Sequence, residues 1–81
     1  MWYVYIIRCK DKRFYTGITS NLERRLKEHK SGQGARFTKS FGFQKLVYQE
    51  GCVTRREALQ REAQIKGWPR QKKLALITHD S

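Results

Sequence analysis

The fold is decided by residues 2–18, which read WYVYIIRCKDKRFYTGI. The segment Trp2–Cys9 is almost entirely β-branched, aromatic or aliphatic, a composition that favours a central strand covered on both faces. Lys10–Arg13 is polar and favours a turn, and Phe14–Ile18 then predicts the second strand of a hairpin. The stretch therefore predicts a small sheet organised around a β-hairpin.

The register of this hairpin decides whether Tyr5 and Tyr15 share a face. Successive strand residues point to opposite faces, so the numbers of paired residues must sum to an even value. Tyr5 opposite Gly17 and Ile7 opposite Tyr15 meets this condition, with an odd-length loop such as Lys10–Lys12. The sequence alone leaves the register open.

Two capping-box patterns, Ser20–Glu23 and Thr54–Glu57, predict the starts of two helices. We expect the first helix to end near Lys30, where serine and glycine follow. We expect the second to end at Gly67, because Pro69 comes just beyond it.

A third short strand is predicted at Leu46–Tyr48, and a final helix is predicted with Leu74 and Ile77 on its apolar side. The expected fold class is α/β, and more specifically α+β. It has a three-stranded, mostly antiparallel sheet with flanking helices, in the order β-β-α-β-α-α. We expect a single domain over residues 1–78, with a short tail at 79–81.

The charge balance points to a polyanionic partner. The chain has 81 residues and a formal net charge of +11, while 38% of its residues are hydrophobic. Such an excess repels itself in a compact domain, and nucleic acid is the first candidate partner, with DNA favoured. The alternative is that the charge serves solubility alone.

The cysteines and the apolar segments indicate the compartment. Cys9 and Cys52 form no CxxC pair, so neither a disulfide framework nor a zinc site is expected, and a reducing, cytoplasmic location fits. We see no signal-peptide pattern and no apolar run of membrane-spanning length.

Two tyrosine motifs give the chain a family resemblance. Tyr3-Val4-Tyr5 and Tyr15-Thr16-Gly17, followed by Arg25 and His29, resemble the GIY-YIG nuclease family. The similarity continues through the helix that carries Glu62, and it is strongest to the small stand-alone bacterial members. Tyr3 stands where the first motif usually has glycine, and Thr16 replaces isoleucine in the second.

The resemblance implies hydrolysis of a phosphodiester bond with one divalent ion, Mg²⁺ or Mn²⁺. It implies that Tyr5 acts as general base or orients the attacking water, with support from Tyr15. Arg25 would stabilise charge on the scissile phosphate, His29 would assist, and Glu62 would hold the metal.

The same residues, taken without the resemblance, leave alternatives open. Tyr5 fits an aromatic core residue, and Arg25 fits one more solvated charge. Glu62 lies in the apolar stripe of its helix, where an unpaired carboxylate is costly, so it needs a cation, a metal or a cleft. A structural salt bridge between Glu62 and Arg25 is the alternative to a metal site.

The predicted nucleic-acid contacts are Arg24, Arg36, Lys39 and Lys66. Arg36 and Lys39 belong to a glycine-containing segment, residues 32–43, whose composition fits either a phosphate-tracking loop or an ordinary basic surface loop. The function predicted first is a metal-dependent endonuclease. The alternatives are a non-catalytic nucleic-acid-binding module that uses the same basic cleft, and an interaction domain whose charge serves a protein partner.

Overall fold

A computed structural model describes residues 1–31 and 42–79 of the chain. Its strands form one antiparallel sheet in the order β2-β1-β3. The elements are, in chain order, β1 (Trp2–Cys9), β2 (Phe14–Thr19), α1 (Leu22–Lys30), β3 (Phe43–Cys52), α2 (Arg55–Lys66) and α3 (Arg70–His79). The predicted fold class and element order are confirmed. Within the two described ranges, every helix is too short or too polar to cross a bilayer.

The hairpin has the register that places the two tyrosines on one face. Tyr5 pairs with Gly17 and Ile7 pairs with Tyr15. The turn is closed by the Cys9 amide, which donates to the Arg13 carbonyl at 2.8 Å. Lys12 adopts a left-handed conformation with φ of 75°, as the last residue of a three-residue hairpin loop commonly does. The odd-length loop that the shared face requires is therefore present.

The sheet has two chemically different faces, set by the alternation along β1. Val4 and Ile6 are fully buried against Ala58 and Ile65 of α2, and we call this side the core face. Tyr5 alternates with them and lies on the other side, under α1, which we call the tyrosine face. The site residues of β1 and β2 are thereby separated from the apolar core.

Strand β3 is longer than expected, since it spans Phe43–Cys52 rather than Leu46–Tyr48. Irregularities in its pairing with β1, at Ile6/Ile7 and at Arg8/Cys9, let the ladder continue along this edge strand. All of its residues are half-buried or exposed, so the strand lacks the continuous apolar pattern that marks β1.

The starts of α1 and α2 refine the capping predictions. Asn21, rather than Ser20, caps α1, because its side-chain oxygen accepts from the Arg24 amide at 3.1 Å. Thr54 caps α2 as predicted, through the Glu57 amide at 3.2 Å. In both cases a side-chain oxygen satisfies an amide that the first helical turn leaves without a partner.

The apolar side of α3 differs from the prediction in one residue. Ile77 packs against the core as expected, together with Leu76. Leu74 is instead 38% exposed. A helix this short with neighbouring apolar residues offers several possible stripes, and contact with the sheet selects one of them.

Candidate active site

A chain of hydrogen bonds connects Tyr5, His29 and Arg25 on the tyrosine face. Tyr5 is 1% exposed, and its Oη lies 3.0 Å from His29 Nε2. Arg25 donates from Nε to the same Oη at 3.3 Å, and its Nη1 lies 3.3 Å from Glu28 Oε1. The structure therefore brings Arg25 and His29 together at the Tyr5 hydroxyl.

Local structure explains why these side chains meet. Arg25 and His29 are four residues apart on α1, so they lie one above the other on the helix side that faces the sheet. Gly17 lies under the Tyr5 ring, where a Cβ would be 2.7 Å from Oη. The absence of a side chain at Gly17 is what allows the phenol to lie across β2.

Three rings pack together around this hydrogen-bonded chain. The centroid distances are 6.3 Å for Tyr5–Tyr15, 5.7 Å for Tyr5–His29 and 5.3 Å for Tyr15–His29. The planes are tilted or edge-on, as aromatic pairs prefer. Tyr15 thus packs against both Tyr5 and His29 and restricts the positions of their rings.

Burial sets the protonation of the pair. Desolvation raises the pKa of Tyr5 to about 12, against the hydrogen bond from Arg25, which lowers it. Desolvation and the positive charge of Arg25 lower the pKa of His29 to about 4. At neutral pH the phenol is protonated and the imidazole is neutral. Because Arg25 can only donate to Oη, we assign the Tyr5 hydroxyl as the donor and His29 Nε2 as the acceptor of their hydrogen bond.

We expect His29 to make the fold less stable in mild acid. Its pKa in the folded protein, about 4, lies below the ordinary 6.5, so the unfolded chain takes up the proton first. The unfolding free energy is fully present above about pH 6.5 and falls as the pH approaches 4, by on the order of 1–3 kcal/mol. Chemical denaturation across this pH range measures the loss.

The variant His29→Gln is the matched control for this pH dependence. Its amide oxygen retains an acceptor for Tyr5 Oη but does not titrate. The parent should therefore lose more stability than His29→Gln between about pH 6.5 and 4. Equal losses in the two proteins would show that His29 is not the group responsible.

Glu62 lies on α2, on the core-face side of the sheet. Its side chain is 19% exposed, and Oε2 lies 3.4 Å from Lys66 Nζ. Ala58 and Ile65, which flank it on the helix surface, are buried, whereas Leu59 is 39% exposed, so the apolar stripe is narrower than expected. Glu62 is thus a partly covered carboxylate with a lysine partner.

Glu62 and Arg25 are not paired with each other in the described part of the chain. The carboxylate beside Arg25 is Glu28, three residues along α1. The charge of Glu62 nevertheless reaches the tyrosine cluster, where it contributes to the raised pKa of Tyr5. The structure therefore brings Arg25 into contact with Tyr5. Glu62 acts on Tyr5 only through its charge.

Comparison with known proteins assigns the chain to a family. The model of the GIY-YIG catalytic domain matches residues 1–75. The chain belongs to the GIY-YIG family. Tyr5, Tyr15, Arg25 and Glu62 all lie within the matched residues.

Several bacterial proteins are similar to this GIY-YIG domain over almost their whole length. A UPF0213 protein of Staphylococcus saprophyticus is 50% identical over 76 residues, which cover 94% of this chain and 93% of that protein. One from Clostridium perfringens is 51% identical over 81 residues, or 100% of this chain and 87% of that protein. The solution NMR structure of a UPF0213 protein from Bacillus halodurans superposes with a TM-score of 0.61 at 41% identity, covering 96% and 84% of the two chains.

The donor set of the GIY-YIG domain fits only a weakly held metal ion. Within residues 1–31 and 42–79, no three His, Cys, Asp or Glu side chains are grouped as metal ligands. The single carboxylate of Glu62 is a hard oxygen donor, and Mg²⁺ is commonly held by one or two carboxylates completed by water and substrate phosphate. Glu62 therefore fits such an ion in the presence of substrate.

The other predicted contacts of the GIY-YIG domain are placed as follows. Arg24 is exposed on α1, and Lys66 is exposed and paired with Glu62. Arg36 and Lys39 lie outside the described residues. Glu28 was missed at the sequence level, although its position three residues after Arg25 is a recognised signal for an ion pair.

A groove on the tyrosine face adjoins the site. It has a volume of about 780 Å³ and runs between the start of α1 and the edge strand β3. Its lining includes Tyr3, Leu22, Leu26, Leu46 and Gly51. The concave surface therefore lies beside Tyr5, which is not among the residues that line it.

Proposed function

We propose that this GIY-YIG domain is a divalent-metal-dependent endonuclease that hydrolyses phosphodiester bonds of nucleic acid, with DNA as the substrate. The observation that carries the proposal is the fixed, partly exposed guanidinium of Arg25. It is held by the buried Tyr5 hydroxyl at 3.3 Å and by Glu28 at 3.3 Å, with 28% of the side chain exposed. A cation positioned in this way is suited to a phosphate.

Arg25 would act on the charge of the reacting phosphate. Burial and its hydrogen-bond partners act in opposite directions on this group, and the net effect is a raised pKa, so the guanidinium stays charged. Because Tyr5 and Glu28 already fix its orientation, little reorganisation is needed when charge develops on the phosphate oxygens.

Tyr5 and His29 would handle the proton of the attacking water. In hydrolysis the water oxygen bonds to phosphorus, the bond to the leaving oxygen breaks, and the water proton needs an acceptor. With its pKa raised to about 12, Tyr5 holds its own proton at neutral pH. We therefore assign Tyr5 to orienting Arg25 and to passing a proton to the neutral His29 Nε2 while accepting one from water.

Glu62 would be the protein ligand of a Mg²⁺ or Mn²⁺ ion. Such an ion, when bound, supplies positive charge at the phosphate oxygens and acidifies bound water. Lys66 now pairs with Glu62 at 3.4 Å and is largely exposed. It can therefore turn towards the substrate backbone, and this exposure supports the proposed contact at Lys66.

Binding to nucleic acid should weaken steeply with salt. The net charge of +11 favours many phosphate contacts, and each contact releases counterions from the polyanion. We expect affinity for linear DNA to fall by orders of magnitude between roughly 50 and 200 mM salt. Fluorescence anisotropy measures it, and equal affinity at the two salt concentrations would contradict the expectation.

The function itself is tested by nicking assays on branched and linear DNA with Mg²⁺ or Mn²⁺. Metal-dependent cleavage is the expected result. A second candidate function, nucleic-acid binding without cleavage, is favoured by one observation, the pairing of Glu62 with Lys66. A protein that binds these substrates but cuts none of them with either metal would establish that alternative.

A further inference from the structure

We propose that a second cationic surface, on the core face at the hairpin end of the sheet, binds the phosphate backbone of nucleic acid next to the cleaved bond. We call it the hairpin cleft, and Arg13, Phe14, Arg70 and Lys73 line its volume of about 260 Å³. The proposal rests on the proposed function for its substrate. It concerns residues outside the tyrosine site and outside the contacts predicted from the sequence.

The hairpin cleft is held in shape by contacts between the hairpin and α3. The Arg70 guanidinium lies 4.8 Å from the centroid of the Phe14 ring. Its Nη2 also donates to the Lys12 carbonyl at 3.0 Å, a contact that crosses from α3 to the hairpin turn. A planar guanidinium anchored on one side by a ring and a carbonyl is oriented for a phosphate on its other side.

Arg8 adds a buried donor beside the hairpin cleft. It pairs with Phe14 across the hairpin, and it alternates with Val4 and Ile6, so it lies on the core face next to that ring. Its Nε is buried and has no hydrogen-bond partner among the described residues. An unsatisfied donor of a cationic group is costly, and a nearby anion would offset that cost.

The charge of this region is strongly one-sided. All three charged residues that line the hairpin cleft are cations, and the adjacent Arg8 and its cross-strand neighbour Lys45 are cations as well. The nearby acid is Asp11, which lies 2.9 Å from Arg13. Several converging cations are complementary to a phosphodiester backbone.

The position of the hairpin cleft relative to the tyrosine site defines a path for the substrate. Strand β2 is an edge of the sheet. Phe14 faces the hairpin cleft, and the adjacent Tyr15 faces the tyrosine site, so the two sites lie on opposite faces of one edge strand. From Gly17 to Arg13 is roughly 13 Å along the strand, equal to about four base steps of duplex DNA. A backbone running along this edge can contact both.

The test compares two double variants that remove the same charge from the full-length protein. Arg70→Gln/Lys73→Gln changes the hairpin cleft. Arg55→Gln/Arg56→Gln is the control, because both arginines are exposed in the first turn of α2, far along that helix from α3. Binding to a linear DNA duplex is measured without divalent metal, as a function of salt. The cleft variant should bind about tenfold more weakly than the control variant. The slope of its log affinity against log salt concentration should be shallower by about two.

Equal affinities and equal salt dependences for the two double variants would overturn the proposal that the hairpin cleft binds nucleic acid. Because Arg70 also fastens α3 to the hairpin, Lys73→Gln is measured alone with its thermal unfolding. A stable Lys73→Gln protein should show a slope shallower by about one, and an unchanged slope would count against the proposal.

Cleavage assays separate this proposal from the enzymatic one. A parent that binds DNA without cutting it, with the cleft variant weakened, supports the hairpin cleft and rejects the nuclease. A parent that cuts, with the cleft variant equal to the control variant, rejects the hairpin cleft alone. A parent that binds no nucleic acid rejects both.

Discussion

Glu62→Gln should abolish nicking while most of the affinity for DNA remains. The amide keeps the shape of the side chain but loses the charge that would hold a divalent ion, and that ion acts on the transition state rather than on binding. Glu62 is paired with the largely exposed Lys66, so the loss of this ion pair should cost less than about 1 kcal/mol of unfolding free energy. Nicking rate, DNA affinity and thermal unfolding are measured on the same protein.

Glu57→Gln is the matched control on the same helix. Glu57 lies in the first turn of α2, where its carboxylate accepts from the Val53 amide at 3.1 Å. Its substitution removes the same charge while keeping an acceptor, so cleavage should continue. A folded Glu62→Gln protein that nicks at the parent rate would end the assignment of Glu62 as metal ligand.

Gly17→Ala should damage both the fold and the site. The added Cβ would lie 2.7 Å from Tyr5 Oη and 2.8 Å from the ring carbon that bears it. Tyr5 is buried and bonded to both Arg25 and His29, so it cannot move without breaking those contacts. We expect a loss of about 1–3 kcal/mol in unfolding free energy, as in other overpacked cores, together with a severe loss of nicking.

Gly51→Ala controls for the general effect of replacing glycine by alanine in a strand. Gly51 lies in β3 and pairs with Tyr3 of β1. A Cβ at Gly51 would meet the Met1 side chain at 3.1 Å. Met1 is exposed and flexible, so it can give way at little cost. Denaturation curves for the two variants isolate the effect of the Tyr5 contact. If they were equally stable, close packing over Gly17 would not be what positions the phenol.

The hairpin shows how far sequence reasoning reaches. The apolar run of β1 and the polar turn after it were enough to predict both strands, because these signals are local. These signals were not enough to predict the register of the hairpin, because the register depends on the loop conformation. Here the left-handed position is taken by Lys12 rather than by a glycine or asparagine that would signal it. The condition for a shared tyrosine face was predictable, whereas its fulfilment required the structure.

The site shows a similar division. Arg25 and His29 are four residues apart, and this spacing places them on one side of α1. The ion pairs of Arg25 with Glu28 and of Glu62 with Lys66 are equally local, yet spacing alone could not rank them against a pairing between Arg25 and Glu62. The protonation of Tyr5 was beyond reach, because burial depends on how α1 packs on the sheet and outweighs the influence of Arg25.

In the edge strand β2, core packing and contact with the tyrosines fall on alternate residues. Its even-numbered residues, such as Phe14 and Thr16, face the core side, while its odd-numbered residues, such as Tyr15 and Gly17, face the tyrosines. Neighbouring residues of this short strand therefore meet different physical requirements, since one set packs on the core side and the other contacts Tyr5. A substitution at Phe14 would change the lining of the hairpin cleft and leave the side chains that face Tyr5 in place.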